Sequence, residues 1–199
     1  ADASALAAMI EHHALLYRDL ADPVALLSGP RGDTEIGRFW SYGPGVADDA
    51  PRYSRLMARS LSLLAEDILD AYPVARHRAL LDVGGGVGEL VAAVAARAPH
   101  LELTVFDLPA VAGQARTALA ARGLGSRVRV VAGDVSRDPL PAGADLVTLV
   151  RVLHDHDDDD VATILAAARR ALVPGGTLLV AEPLADALGL ARVAEAYFG

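Results

Sequence analysis

The run Leu80-Leu81-Asp82-Val83-Gly84-Gly85-Gly86-Val87-Gly88-Glu89-Leu90 constrains the fold of this chain more than any other segment. An apolar stretch meets an acid, glycines follow at once, and a helical apolar rhythm begins at Leu90, Val91 and Val94. The pattern predicts a strand, a tight turn and a helix start, the unit that holds a nucleotide-like ligand at the edge of an open α/β sheet. Glycine suits such a turn because backbone N–H groups must approach a ligand closely and some positions need positive φ. Spacing separates two versions of the unit. A dinucleotide fingerprint reads G-x-G-x-x-G, and here Glu89 fills the third glycine slot after Gly84 and Gly86. The pattern D-x-G-x-G-x-G fits instead, through Asp82, Gly84, Gly86 and Gly88.

From Ala79 onward short apolar runs alternate with helical ones. Strands are expected at 79–83, 101–106, 127–132, 145–151 and 177–182, with helices at 88–97, 110–122 and 158–172. That alternation predicts an α/β fold, a Rossmann-like, doubly wound and mainly parallel sheet with crossover helices. Continuous runs such as Leu146-Val147-Thr148-Leu149-Val150 fit strands covered on both faces. Before the sheet, residues 1–20 carry helical periodicity, and 53–70 form a second amphipathic helix with Leu56, Leu63, Leu64, Ile68 and Leu69 inward. Between them, residues 28–52 are rich in Gly, Pro, Asp and Arg and read as a long connection or lid. The expected division is a helical segment over 1–72, leading into a ligand-binding domain over 73–199.

Composition narrows the function classes. The net charge of −8 comes with no basic cluster, which argues against a broad phosphate-contacting surface for nucleic acid. Zero cysteines excludes disulfides and thiolate metal sites. No apolar run approaches the ~20 residues of a membrane span. The N-terminus has neither a basic segment nor a secretory apolar region, so the expected location is cytoplasmic.

Several polar residues stand where strands should end. Asp107 closes the second strand, where a carboxylate can accept both ribose hydroxyls of an adenosine; the alternative is an N-cap for the helix starting near Ala110. Asp134 closes the third and suits either an adenine amino group or a turn. Pro174-Gly175-Gly176 reads as a helix stop before a strand start. The acidic run from Asp155 to Asp160 could hold a divalent cation, but it reads better as a helix N-terminus capped by Asp157 or Asp158. His12 and His13 face either a neighbouring helix or solvent. Phe39, Trp40, Tyr42, Tyr53 and Met57 precede the sheet and, on their residue types alone, suit helix-to-core packing.

The order of these parts resembles the class I S-adenosyl-L-methionine (SAM) dependent methyltransferases: glycine turn, acid after the second strand, Gly133-Asp134 after the third, Pro-Gly-Gly before the fifth. The run from Leu149 through His154 to Asp158 is similar to the catalytic-histidine segment of the small-molecule O-methyltransferases, which include plant caffeate-type and bacterial natural-product enzymes. Phe106-Asp107-Leu108-Pro109, Asp70-Ala71-Tyr72-Pro73 and Asp19-Leu20-Ala21-Asp22-Pro23-Val24 most resemble the bacterial hydroxyneurosporene O-methyltransferase branch.

This resemblance implies a class I methyltransferase fold using SAM, releasing S-adenosyl-L-homocysteine and needing no metal. It implies His154 as general base, with Glu182 orienting its imidazole. Geometry supports the pairing separately, because the fourth and fifth strands should be neighbours, His154 lies just past one and Glu182 at the end of the other. Asp82, Gly84, Gly86, Gly88, Asp107, Leu108, Asp134, Val135 and Arg151 fall on the cofactor side. Trp40, Met57 and Asp155 fall on the acceptor side. The acceptor would be a hydroxyl of a small phenolic, polyketide or carotenoid metabolite, and the full-length parent would be a homodimer. Two other readings stand beside this one. One is a non-enzymatic or diverted SAM-binding module on the same scaffold. The other is an NAD-linked oxidoreductase, against which Glu89 argues. Family members also carry an N-terminal winged-helix dimerisation domain and a final antiparallel hairpin. Only the end of the first is matched, and the sequence stops at Tyr197-Phe198-Gly199, so a domain truncated at its C-terminus with an exposed sheet edge is expected.

Overall fold

The computed structural model describes Ile10, residues 14–28, Thr34, Glu35, Leu61 and residues 64–182. Trp40, Met57, Phe39, Tyr42, Tyr53, His12 and His13 lie outside the described residues. The chain divides into two compact units, Ala1–Leu64 and Ala65–Gly199. In the first, residues 14–19 are helical and a short helix covers Pro23–Ser28. Asp19 accepts the Glu35 N–H at 2.7 Å.

The second unit holds the sheet. Its strands are β1 (Ala79–Val83), β2 (Glu102–Asp107), β3 (Val128–Ala132), β4 (Ala144–Val150) and β5 (Leu172–Ala181). They lie in the order β3-β2-β1-β4-β5, and every pairing is parallel. The helices are α1 (Glu89–Arg97), α2 (Pro109–Ala121) and α3 (Asp158–Ala171). This is the doubly wound α/β architecture expected. The chain runs outward from β1 through β2 to β3, then crosses back to β4 on the other side of β1. The strand order therefore reverses between β1 and β4, the switch point at whose carboxyl edge open α/β sheets bind their ligands.

Burial explains why the central strands read as unbroken apolar runs. Leu80, Leu81 and Val83 of β1 and Leu146, Val147, Leu149 and Val150 of β4 are all buried. Helices cover the sheet with one apolar stripe each: Leu90, Val91 and Val94 from α1, Ala112, Ala115 and Leu119 from α2, and Ile164, Ala167, Ala168 and Ala171 from α3. Asp157 caps α3 by accepting the Asp160 N–H, and Asp158, Asp159 and Asp160 fill its first turn. The acidic run is thus a helix start, favoured by the helix dipole. At the amino end of the sheet, Asp145 accepts the Ala79 N–H at 2.8 Å and the Arg78 N–H at 3.1 Å, which ties the start of β1 to β4.

One element departs from expectation. Pro174-Gly175-Gly176 does not separate helix from strand. Pairing starts immediately after α3, at Ala144 with Leu172, and resumes at Leu146 with Thr177. The residues between bulge out of β5. Pro174 has no N–H to give to a ladder, and Gly175 takes a φ of 79°.

Candidate active site

Five loops meet the carboxyl edge of this sheet. The first is the glycine turn after β1. Gly84, Gly86 and Gly88 all have positive φ. At Gly84 (φ 68°) an added Cβ would also stand 2.6 Å from Val152. Gly86 (φ 58°) is different, because nothing among the described residues lies within 4 Å of where its Cβ would be. Its backbone borders open space and can be approached closely from outside.

Asp107 ends β2 beside that turn. Its Oδ2 accepts the Gly86 N–H at 2.8 Å and its Oδ1 accepts the Leu108 N–H at 2.7 Å. Burial pushes this carboxyl up, and the two backbone donors only partly offset it. The N-cap of α2 is Leu108, without a side-chain cap bond, so Asp107 does not serve as that cap. Leu108 itself is exposed. Beyond β3, Gly133 packs against the Phe106 ring, where a Cβ would stand 2.5 Å away. Asp134 closes a turn by accepting the Ser136 N–H at 2.9 Å, with Val135 half-buried inside it. The turn alternative for Asp134 is therefore realised in the structure.

The other two loops follow β4 and β5. Arg151 steps out of β4 with a φ of 56°, unusual for a side-chain-bearing residue, while its N–H still donates to Ala181 at 2.9 Å. A 3-10 turn over Leu153–Asp155 follows. His154 Nδ1 lies 2.7 Å from Glu182 Oε2, and both side chains are largely buried. Glu182 Oε1 accepts the Val152 and Leu153 N–H groups, each at 2.8 Å. One carboxylate thus clamps both the turn and the imidazole. Burial alone would push Glu182 up, but the His154 bond and the two backbone donors outweigh it and hold the carboxyl below its usual value. An ionised carboxylate only accepts, so Nδ1 carries the hydrogen and Nε2 is left as the basic nitrogen of the neutral ring. On that side Asp155 Oδ1 stands 3.4 Å from Nε2. Asp155 is pushed up by burial, against the pull of His154, His156 and Arg151.

The structure therefore joins the glycine turn to Asp107, and His154 to Glu182 and Asp155, all at one sheet edge. Sequence reasoning missed Thr148. Read as part of an apolar strand, it donates from Oγ1 to Asp82 Oδ1 at 2.6 Å in the core. Among the described residues, no group of three or more His, Cys, Asp or Glu side chains is arranged to hold a metal ion. Nor is any described helix long and apolar enough to cross a membrane.

A doubly wound parallel sheet with a glycine turn at its switch point and an acid ending the next strand is common to dinucleotide-binding and class I methyltransferase folds, and the solved O-methyltransferases that this chain matches place it in the second class. Within that class, the O-methyltransferase domain family matches residues 17–196, and the chain belongs to it. Demethylspheroidene O-methyltransferase of Cereibacter sphaeroides is 46% identical over 197 residues, covering 96% of this chain and 52% of that protein. The similarity to a bacterial carotenoid branch expected from the sequence is met. Aclacinomycin 10-hydroxylase RdmB of Streptomyces purpurascens is 40% identical over 174 residues, covering 87% of this chain and 46% of its own. Among solved structures, an O-methyltransferase from neocarzinostatin biosynthesis, in complex with S-adenosyl-L-homocysteine and 1,4-dihydroxy-2-naphthoic acid, is 37% identical with a TM-score of 0.65. That match covers 69% of this chain and 42% of the other. The chain spans about half the length of the curated relatives it matches.

Proposed function

We propose that this chain carries the donor site and the base of a SAM-dependent O-methyltransferase acting on a hydroxyl of a small secondary metabolite. The observation that carries the reading is the His154–Glu182 pair, 2.7 Å apart at the sheet edge that bears the glycine turn. The turn suits the donor's chemistry. Gly86 offers backbone bordered by open space. Asp107 still has lone pairs beyond those taken by the Gly86 and Leu108 N–H groups, enough to accept ribose hydroxyls. When bound, SAM supplies an electrophilic methyl group on a sulfonium.

The residues do the rest. His154 takes the acceptor hydroxyl's proton on Nε2, and Glu182 fixes the ring and balances the imidazolium that forms. Asp155, on the Nε2 side, borders the acceptor. Gly84, Gly88, Leu108, Asp134, Val135 and Arg151 complete the proposed donor surface, while Asp82, first assigned to the same group, lies buried beneath the turn. Trp40 and Met57 are assigned to the acceptor side on family resemblance alone. Much of the rate would come from holding oxygen and methyl in a near-attack arrangement. The name of the Cereibacter relative favours a carotenoid-type hydroxyl as first acceptor, and the naphthoic acid bound by the neocarzinostatin enzyme favours aromatic hydroxyls next. A homodimer and a division into a helical segment over 1–72 and a catalytic domain over 73–199 belong to the same proposal.

Parallel calorimetric titration with SAM, S-adenosyl-L-homocysteine and NAD tests the donor site. Micromolar binding of the first two without NAD supports it, and binding of NAD alone overturns it. A second reading, the scaffold diverted to other chemistry, has one observation behind it, the hydroxylase name of the 40% identical relative. Product mass separates the two, since methylation adds CH2 and hydroxylation adds oxygen.

A further inference from the structure

Beneath the glycine turn sits a buried acid that the proposed reaction does not use. Asp82 occupies the centre of the sheet and is 1% exposed. It stands opposite Thr148 in the β1–β4 register, and the Thr148 hydroxyl donates to its Oδ1 at 2.6 Å. Its Oδ2 is buried with no hydrogen-bond partner among the described residues. That oxygen lies under Gly85, 2.5 Å from where a Cβ would be, and the same Cβ would stand 3.1 Å from Val105. An ionised carboxylate with one bare oxygen in apolar surroundings is costly. The charged group acting on it is Asp107, from the end of β2, and it has the same sign. Thr148, facing it from β4, offers a dipole and no charge.

We propose that Asp82 and Thr148 form a proton-linked positioning pair under the glycine turn. Asp82 holds a proton in the ligand-free protein and gives it to solvent when a cationic ligand occupies the turn, so the pair distinguishes the positively charged methyl donor from its neutral demethylated product. The inference rests on the donor-site reading above. Burial pushes the Asp82 carboxyl up to about 7, with Asp107 adding to the rise and the Thr148 bond opposing it. The group therefore responds to a nearby charge in the neutral range. A sulfonium favours the carboxylate through a low-dielectric interior. Once the methyl group has left, the sulfur is neutral, Asp82 takes a proton back from solvent, and the attraction for the product disappears. The α-amino and carboxyl groups are common to donor and product, but the sulfonium makes the donor's α-amino group the more acidic, so titrating the same two ligands against Asp82→Asn isolates the part that belongs to Asp82.

Calorimetric titration across about pH 6 to pH 8, in phosphate and in Tris, tests the linkage. SAM affinity should rise several-fold with pH while that of S-adenosyl-L-homocysteine stays nearly flat, with proton release on SAM binding only. Asp82→Asn should flatten the rise of SAM affinity with pH and bring the two profiles closer together. Thr148→Val removes the donor that favours the carboxylate, so it should move the midpoint of the SAM profile to higher pH. That shift decides the matter even where Asp82→Asn fails to fold. Parallel pH profiles for both ligands, or a difference that is unchanged in Asp82→Asn, overturn the linkage and leave the donor site standing. Absence of SAM binding at every pH overturns the donor site, and the linkage with it.

Discussion

His154 and Glu182 act as one unit in the structure, and they should fail differently when changed. His154→Ala removes the proposed base but leaves the turn clamped by the Glu182 bonds to Val152 and Leu153. SAM affinity should stay close to native, while turnover falls about 10²–10⁴-fold. Equal turnover would remove His154 from the mechanism. Glu182→Gln touches stability as well. Because the Glu182 carboxyl is held below its ordinary value, the folded protein binds fewer protons there than the unfolded chain. The stability it contributes is present above the unfolded value of about 4.5 and is lost as pH falls through the folded one. Acid unfolding below about pH 5 should therefore be shallower in Glu182→Gln than in the native protein. The pair was visible in the sequence because each partner sits at the end of an apolar run and neighbouring parallel strands end at one edge. Thr148 was not, because a single hydroxyl inside Leu146–Val150 is as good a strand former as the residues around it. Only its register opposite Asp82 gives it a partner.

Elements carry these side chains, and their joints are testable. Gly84 is the joint between the glycine turn and the loop that holds His154. A Cβ there would need an unfavourable φ of 68° and would stand 2.6 Å from Val152, two residues before the imidazole. Gly84→Ala should destabilise the protein by about 1–3 kcal/mol and lower SAM affinity, measured by denaturant titration and calorimetry. Native stability in that variant would mean that Val152 moves aside freely. Asp157→Ala removes the α3 cap and should cost about 1 kcal/mol, with little effect on donor binding. The strands were legible because β1 and β4 are buried on both faces and so show unbroken apolar runs. The β5 bulge was not. Pro-Gly-Gly ends a helix and interrupts a strand for the same reasons, a missing N–H and a positive φ, and only the pairing of Leu172 with Ala144 shows which.

At the scale of the whole molecule, the site carries a cost in stability that pH should reveal. Asp82, Asp107 and Asp155 are all pushed up, each with burial as the largest cause. Glu182 and Asp145 are shifted the other way, so their contributions change below the ordinary carboxylate range. Between the usual value of 3.8 and about 7, folded Asp82 holds a proton that the unfolded chain has already released. Stability must then fall as pH rises through that window and level off above it. One proton gives a slope of at most about 1.4 kcal/mol per pH unit. Denaturant unfolding of the ligand-free protein from about pH 5 to pH 8 measures it. The native curve should descend more steeply than that of Asp82→Asn, and the difference isolates this carboxyl from every other titrating group. Curves that stay parallel would mean that Asp82 is ionised in the core throughout. The buried acid would then act on any bound cation as a fixed charge, and the donor and product would differ in affinity by the same factor at every pH.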